Sequence, residues 1–186
     1  LNVTGGKIEA KTNHIANNNY YGVYNQSGNL NVTGGVIEAK YSVYNDSGKV
    51  VIKDGTLETL KYGIYNTNTG TIEMSGGSIK NSKYPEEEIY GIYNEKNGVV
   101  KLENGEITLT SIKTIVKYAY GIYTAVTAKT DIIGGTVNVD GTKNNAYGVY
   151  NLGTTVLGKK GEGVNKENPS IIGYNYATYN SKTGTI

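Results

Sequence analysis

The sequence predicts an all-β solenoid, about seven coils stacked on one another with three short strands per coil. Three observations carry that expectation. Leu1–Lys11 reads LNVTGGKIEAK and Leu30–Lys40 reads LNVTGGVIEAK, the two differing only at Lys7 and Val36. The motif Tyr-Gly-Ile/Val-Tyr-Asn, with Ser for Gly once, opens at Tyr21, Tyr41, Tyr62, Tyr90, Tyr120 and Tyr147, and in altered form at Tyr176. Between these motifs β-branched residues alternate with polar ones at period two and are broken every few residues by Gly, a pattern that cannot sustain a helix.

Each strand of the unit follows from that alternation, because successive strand residues face opposite ways. In the first strand Val23, Val43, Ile64, Ile92, Ile122 and Val149 share the inner face. A Ser-Gly or Asn-Gly turn leads to the second strand, where Leu30/Val32, Val50/Ile52, Ile72/Met74 and Val100/Leu102 point in. A Gly-Gly or Asp-Gly turn then opens the third, whose inward residues are Ile8, Ile37, Leu57, Ile79, Ile107 and Val137. A unit of roughly 20 residues buries too little apolar surface to stand alone, and stacking units produces a continuous apolar column. The Asn that closes the first strand, at Asn25, Asn45, Asn66, Asn94, Asn151 and Asn180, predicts an amide ladder, with Thr124 as a local fault.

Composition narrows the chemistry. All 18 aromatic residues are Tyr, there is no Cys, and every one of the 18 basic residues is Lys. Without Arg no guanidinium fork can grip a carboxylate or phosphate, and one His with no Cys leaves no usual zinc or thiol site. No cofactor or metal is expected. A net charge of +2 with both signs interspersed predicts no nucleic-acid partner. No apolar run approaches the ~18 residues that a transmembrane helix needs, so no membrane insertion is expected.

These variable-length, three-stranded units resemble the right-handed parallel β-helix, the pectate-lyase-like fold. The Tyr-Gly-Ile-Tyr-Asn units are similar to those of bacterial cell-surface repeat proteins. The resemblance spans essentially the whole chain and implies one β-helix over residues 1–186, cut from a longer array whose neighbouring coils would flank it. Pectate lyases of this fold imply an Arg base and clustered Asp, and polygalacturonases imply several Asp on adjacent strands; this sequence matches neither. The resemblance therefore implies a non-catalytic module of an extracellular or cell-surface protein, a stalk or adhesin whose partner is a glycan or a host surface protein. The alternative is a segment of a polysaccharide lyase, glycoside hydrolase or phage tailspike whose active residues lie elsewhere.

Candidate site residues follow from parity and loop length. Tyr24, Tyr44, Tyr65, Tyr93, Tyr123 and Tyr150 follow the inward residue of strand one and are expected on the outer face, where rings ~4.8 Å apart could stack on sugars or merely cover the sheet. Gly before the inward residue is expected to leave these rings room. Tyr21, Tyr41, Tyr62, Tyr90, Tyr120 and Tyr147 have inward parity and are expected to pack at a corner. Glu9, Glu38 and Glu58 should stack outward, close enough to raise one another's pKa, beside Lys. Glu73, Lys101 and Asp131 should stack with alternating sign. Extra residues enter between the third strand and the next Tyr motif at Lys11–Asn19, Lys80–Ile89, Thr110–Ala119 and Asp140–Ala146, while Lys159–Pro169 leaves from another corner. Two long loops around two short ones predict a notch floored by Lys40, Tyr41, Lys61 and Tyr62, with Tyr44 and Tyr65 adjoining and His14 and Glu86–Glu88 on its walls.

Overall fold

The computed structural model describes residues 1–11, 18–83, 85–110, 116–140, 145–158 and 168–186, and among these there is no helix, hence none long and apolar enough to cross a membrane. In chain order the strands are β1 (Asn2–Glu9), β2 (Tyr21–Asn25), β3 (Asn29–Asn45), β4 (Lys49–Asn66), β5 (Thr71–Asn81), β6 (Glu88–Asn94) and β7 (Val99–Leu109). They continue with β8 (Tyr118–Thr124), β9 (Lys129–Ile132), β10 (Thr136–Val139), β11 (Ala146–Asn151), β12 (Thr154–Leu157), β13 (Ser170–Gly173) and β14 (Tyr176–Asn180). All belong to one sheet. Its pairings are parallel, and β3 and β4 are long because each runs through two bends, so the sheet curls around its core as in a solenoid.

Pairing aligns the repeats residue by residue. The Tyr motifs stack as Tyr21–Tyr41–Tyr62–Tyr90–Tyr120–Tyr147–Tyr176. Second-strand segments stack as Leu30–Val50–Ile72–Val100–Thr130–Thr155. Third-strand segments stack as Ile8–Ile37–Leu57–Ile79–Ile107–Val137–Ile171. Between second and third strand the backbone turns through glycines with positive φ, such as Gly35 at 83° and Gly55 at 97°, a conformation L side chains resist.

The inward residues expected from alternation form one buried column, from Val3 and Val23 through Ile64 and Ile92 to Val149, with Ile8 and Ile171 partly buried against its ends. A second apolar cluster lies beside it, made by Ile89, Leu109, Val116, Ala119, Val139 and Ala146 at the corner where the long insertions enter. The insertions that end at Ile89, Ala119 and Ala146 thus bring apolar residues of their own to that corner. Residues 159–167 fall outside the described residues; the ends that flank them are β12 and β13, so this insert leaves between the second and third strands.

Alternation fails at one position per repeat, and this corrects the expected place of the glycines. A Cβ built on Gly63 would lie 2.3 Å from Ile79 Cγ2 and 2.5 Å from the carbonyl oxygen of Gly91. Gly63 therefore faces inward together with Ile64, and does not make outer room for a ring. Because two consecutive residues face in, the Tyr before them faces out.

Candidate functional site

That skipped step puts both sets of tyrosines on the same surface. Tyr24, Tyr44, Tyr65, Tyr93, Tyr123, Tyr150 and Tyr179 stack with centroids 4.7–5.2 Å apart and planes within 18° of parallel. The set expected at an inner corner forms a second outward column beside the first. From Tyr41 to Tyr176 its rings stack 4.7–5.3 Å apart, and Tyr21 caps it with a tilted contact to Tyr41. The columns interlock edge to face, as between Tyr62 and Tyr65 at 5.1 Å and 85°, or Tyr90 and Tyr93 at 5.2 Å and 87°. Offset stacking and perpendicular contact are the two arrangements the ring quadrupole favours, and from Tyr62 to Tyr179 each ring of the two columns makes both.

Crowding shows in the phenols. Burial, then the neighbouring Tyr21 and Glu86, pushes the Tyr41 hydroxyl up to about 12. Burial and Glu95 push Tyr93 up to about 12. Tyr62 and Tyr65 are also raised, chiefly by burial, with Tyr41 the next cause for the former and Glu95 for the latter. All remain neutral donors at ordinary pH. No protein-family model, curated protein or solved structure matches this chain.

The notch residues divide into two groups. Tyr41, Tyr44, Tyr62 and Tyr65 lie in the tyrosine face. Lys40 and Lys61 sit where longer repeats carry the apolar Ile89, Ala119 and Ala146 of the second cluster. They are held by the insertion itself: Glu86 N donates to the Leu60 carbonyl, and its carboxylate lies 2.8 Å from Lys40 Nζ and 3.8 Å from Lys61 Nζ. Lys40 is only 8% exposed. The Lys61 ammonium also lies 5.5 Å from the centre of the Tyr62 ring. A groove of about 400 Å³ opens instead over the third strands, lined by Lys11, Tyr20, Glu38, Glu58, Leu60 and Ser82 among others. Of the expected walls, Glu86 bridges the lysines, Glu87 pairs with Lys117 and Glu88 lies by Tyr90, while His14 lies outside the described residues.

The carboxylate row behaves as a charged face. Glu9, Glu38 and Glu58 stack in register as expected. Lys7 joins Glu9 and Glu38 at 2.6 and 2.7 Å, Lys11 joins Glu9 at 2.7 Å and Lys80 joins Glu58 at 3.3 Å. Hydrogen bonds from Lys11 and then Lys7 hold Glu9 down at about 2, so the expected mutual raising is reversed at this residue. Glu73, Lys101 and Asp131 stack in the expected register, yet Lys101 bonds Glu103 at 2.5 Å and Glu73 pairs with Lys49 at 2.7 Å. Lys101 and Glu103 are two residues apart on one strand and so share a face, while Lys49 and Glu73 meet diagonally across the β4–β5 ladder.

The asparagine ladder is present on the inner side, where each Nδ2 donates to the next Oδ1: Asn25 to Asn45 at 2.7 Å, Asn45 to Asn66 at 2.8 Å, Asn66 to Asn94 at 2.9 Å and Asn151 to Asn180 at 2.8 Å. The remaining amide hydrogen goes to the carbonyl of the following turn, as from Asn45 to Gly48 and from Asn66 to Gly70. Thr124 is not a fault. Asn94 donates to Thr130 Oγ1 at 3.2 Å, Thr130 and Thr124 share a hydrogen bond at 2.8 Å, and Thr155 Oγ1 donates to Asn151 Oδ1 at 2.9 Å. The row of Leu30, Val50, Ile72 and Val100 switches to Thr130 and Thr155 beside Thr124, a signal the sequence contains once register is known.

Proposed function

We propose that the chain is a right-handed parallel β-helix of about seven coils, one module over residues 1–186, that works without catalysis as the stalk or adhesive part of an extracellular or cell-surface protein. The observation that carries this reading is the tyrosine face: two interlocked columns of phenols on the outer side of the Tyr-motif ladder. Apart from Tyr90, which is buried, the rings are half-buried or exposed, and aromatic surface of this kind is what interaction sites are made of, because each ring offers apolar area and a hydroxyl at little cost in side-chain entropy. The Lys partners of Glu9, Glu38 and Glu58 support the absence of acid–base work at that row. Internal ladders on both sides of one strand suit a rod that must keep its register under load.

The test is binding and turnover measured together. The chain should be retained by a glycan or by a host matrix protein on an array, retention should fall about tenfold or more in Tyr44→Ala/Tyr65→Ala, and reducing-end release from pectins and xylans should stay at background. Turnover that disappears in Glu38→Gln, or undiminished retention of the double variant, would overturn the reading.

A further inference from the structure

Resting on the reading of the tyrosine face as a display surface, we propose that its partner is a proline-rich segment carrying Lys or Arg, bound in the polyproline II conformation and lying along the solenoid axis.

Ring geometry argues first. From Tyr62 on in one column and throughout the other, the planes are within 18° of parallel at about 5 Å, as for Tyr44 and Tyr65 at 5.1 Å and 5°, so neighbouring rings cover one another's faces. What the columns offer a partner is ring edges and the shallow clefts between them, with hydroxyl groups beside. A pyranose ring needs an open aromatic face to lie on. Proline needs a cleft between aromatic edges and brings a carbonyl that accepts from a phenol.

Spacing argues next. A polyproline II helix has three residues per turn and rises ~3.1 Å per residue, so its side chains recur every ~9.3 Å. The stacked rings lie about 5 Å apart, so every second ring of a column recurs at about 10 Å. A segment running along the axis could therefore set a proline at every second tyrosine over two or three turns. The mismatch is about 0.7 Å per turn.

Charge argues last. Asp46, Glu88 and Glu95 border the two columns, and after burial each is the next cause that raises a phenol beside it: Asp46 for Tyr44, Glu88 for Tyr90 and Glu95 for Tyr65. They accept hydrogen bonds from Asn68, Tyr90 and Thr67 respectively, and none makes an ion pair among the described residues. Lys40 and Lys61 are engaged by Glu86 and Lys117 by Glu87, while Lys96 donates to Asn68, the neighbour of Asp46. Asp46 and Glu95 follow their Tyr motifs and Glu88 precedes one, so both edges of the columns carry a carboxylate that is not ion-paired among the described residues. Lys61 displays within the chain the contact that a partner's cation would make, its ammonium over the Tyr62 ring.

Calorimetric titration of the folded chain decides it, with three probes: a peptide of four Pro-Pro-Arg repeats, a peptide of four Gly-Ser-Arg repeats with the same charge, and cellulose and chitin oligosaccharides. The proline peptide should bind at least about tenfold more tightly than the Gly-Ser peptide. Glu88→Gln/Glu95→Gln, which leaves both columns intact, should weaken it about threefold or more and flatten its salt dependence. Tyr65→Ala/Tyr93→Ala, checked for retained circular dichroism, should reduce it to the level of the Gly-Ser peptide. Equal binding of the two peptides, or no binding of either, would overturn the proposal. Saccharide binding without peptide binding would also overturn it, yet would leave the display reading standing.

Discussion

Thr124 interrupts a column in which all the other repeats carry Asn, and two threonines of the stacked second strands, Thr130 on β9 and Thr155 on β12, close the gap. A threonine hydroxyl reaches less far than an asparagine amide, so the break needs a second polar group, and Thr130 supplies it where the preceding repeats of that row carry Leu30, Val50, Ile72 and Val100. The pair should therefore behave as one unit. Thr130→Val alone removes the hydroxyl that Thr124 shares at 2.8 Å and leaves it only the 3.4 Å contact with Thr155, while Asn94 keeps the Gly98 and Lys129 carbonyls; the loss should be roughly 1–3 kcal/mol in urea unfolding. Combined with Thr124→Asn, which restores the residues found in the repeats above, the loss should shrink rather than grow. A double variant as unstable as the sum of the two single ones would refute the coupling.

At the scale of the strand, the position before the inward Val or Ile of each Tyr motif is decided by the third strand that faces it. Where that strand presents a β-branched residue, the position is Gly: Gly22 with Ile37, Gly63 with Ile79, Gly91 with Ile107 and Gly121 with Val137, each leaving a γ-methyl only 2.3–2.4 Å from where a Cβ would be. Where the strand presents Leu57, which has no γ-methyl on a branched Cβ, the position is Ser42, buried and donating to the Glu58 carbonyl at 2.9 Å. The two sites form a steric pair. Leu57→Ile alone should overpack against Ser42 and cost about 1–3 kcal/mol, whereas Leu57→Ile/Ser42→Gly should recover most of it. Thermal unfolding of the three variants checks this; equal midpoints for the single and double variants would exclude the pairing.

For the whole molecule, the tyrosine columns set the alkaline limit of stability. The phenols start from 10.0 in the open chain, and burial carries Tyr41 and Tyr93 up to about 12 in the folded one. Folded protein therefore keeps protons that unfolded protein releases. Their contribution is fully present below pH ~10 and is lost as pH rises through ~12. Stability in denaturant should be level from neutral pH to about 10 and then fall steeply, with phenolate absorbance appearing together with loss of the strand signal. Tyr41 or Tyr93 ionising at pH ~10 while the fold persists, read by the absorbance lost in Tyr41→Phe and Tyr93→Phe, would contradict the packing described for the columns.

Much of this molecule was legible in the chain. The inward aliphatic residues, the register of the repeats and the asparagine ladder follow from period-two alternation and near-verbatim repetition, because the face a strand residue takes is a local property of the backbone. The carboxylate row was placed by the same rule. Three features needed the tertiary structure. Gly63 turns inward because Ile79 occupies the space a Cβ would need, and that step carries Tyr62 from the expected corner to the outer face. Glu86 joins Lys40 and Lys61 because its insertion folds back over two shorter repeats, which diverts the expected notch. Thr130 rescues Thr124 from an adjacent strand. Each depends on which atoms of separate strands or repeats compete for one volume or one hydrogen bond, and a one-dimensional pattern shows such contacts only after the coils have been stacked.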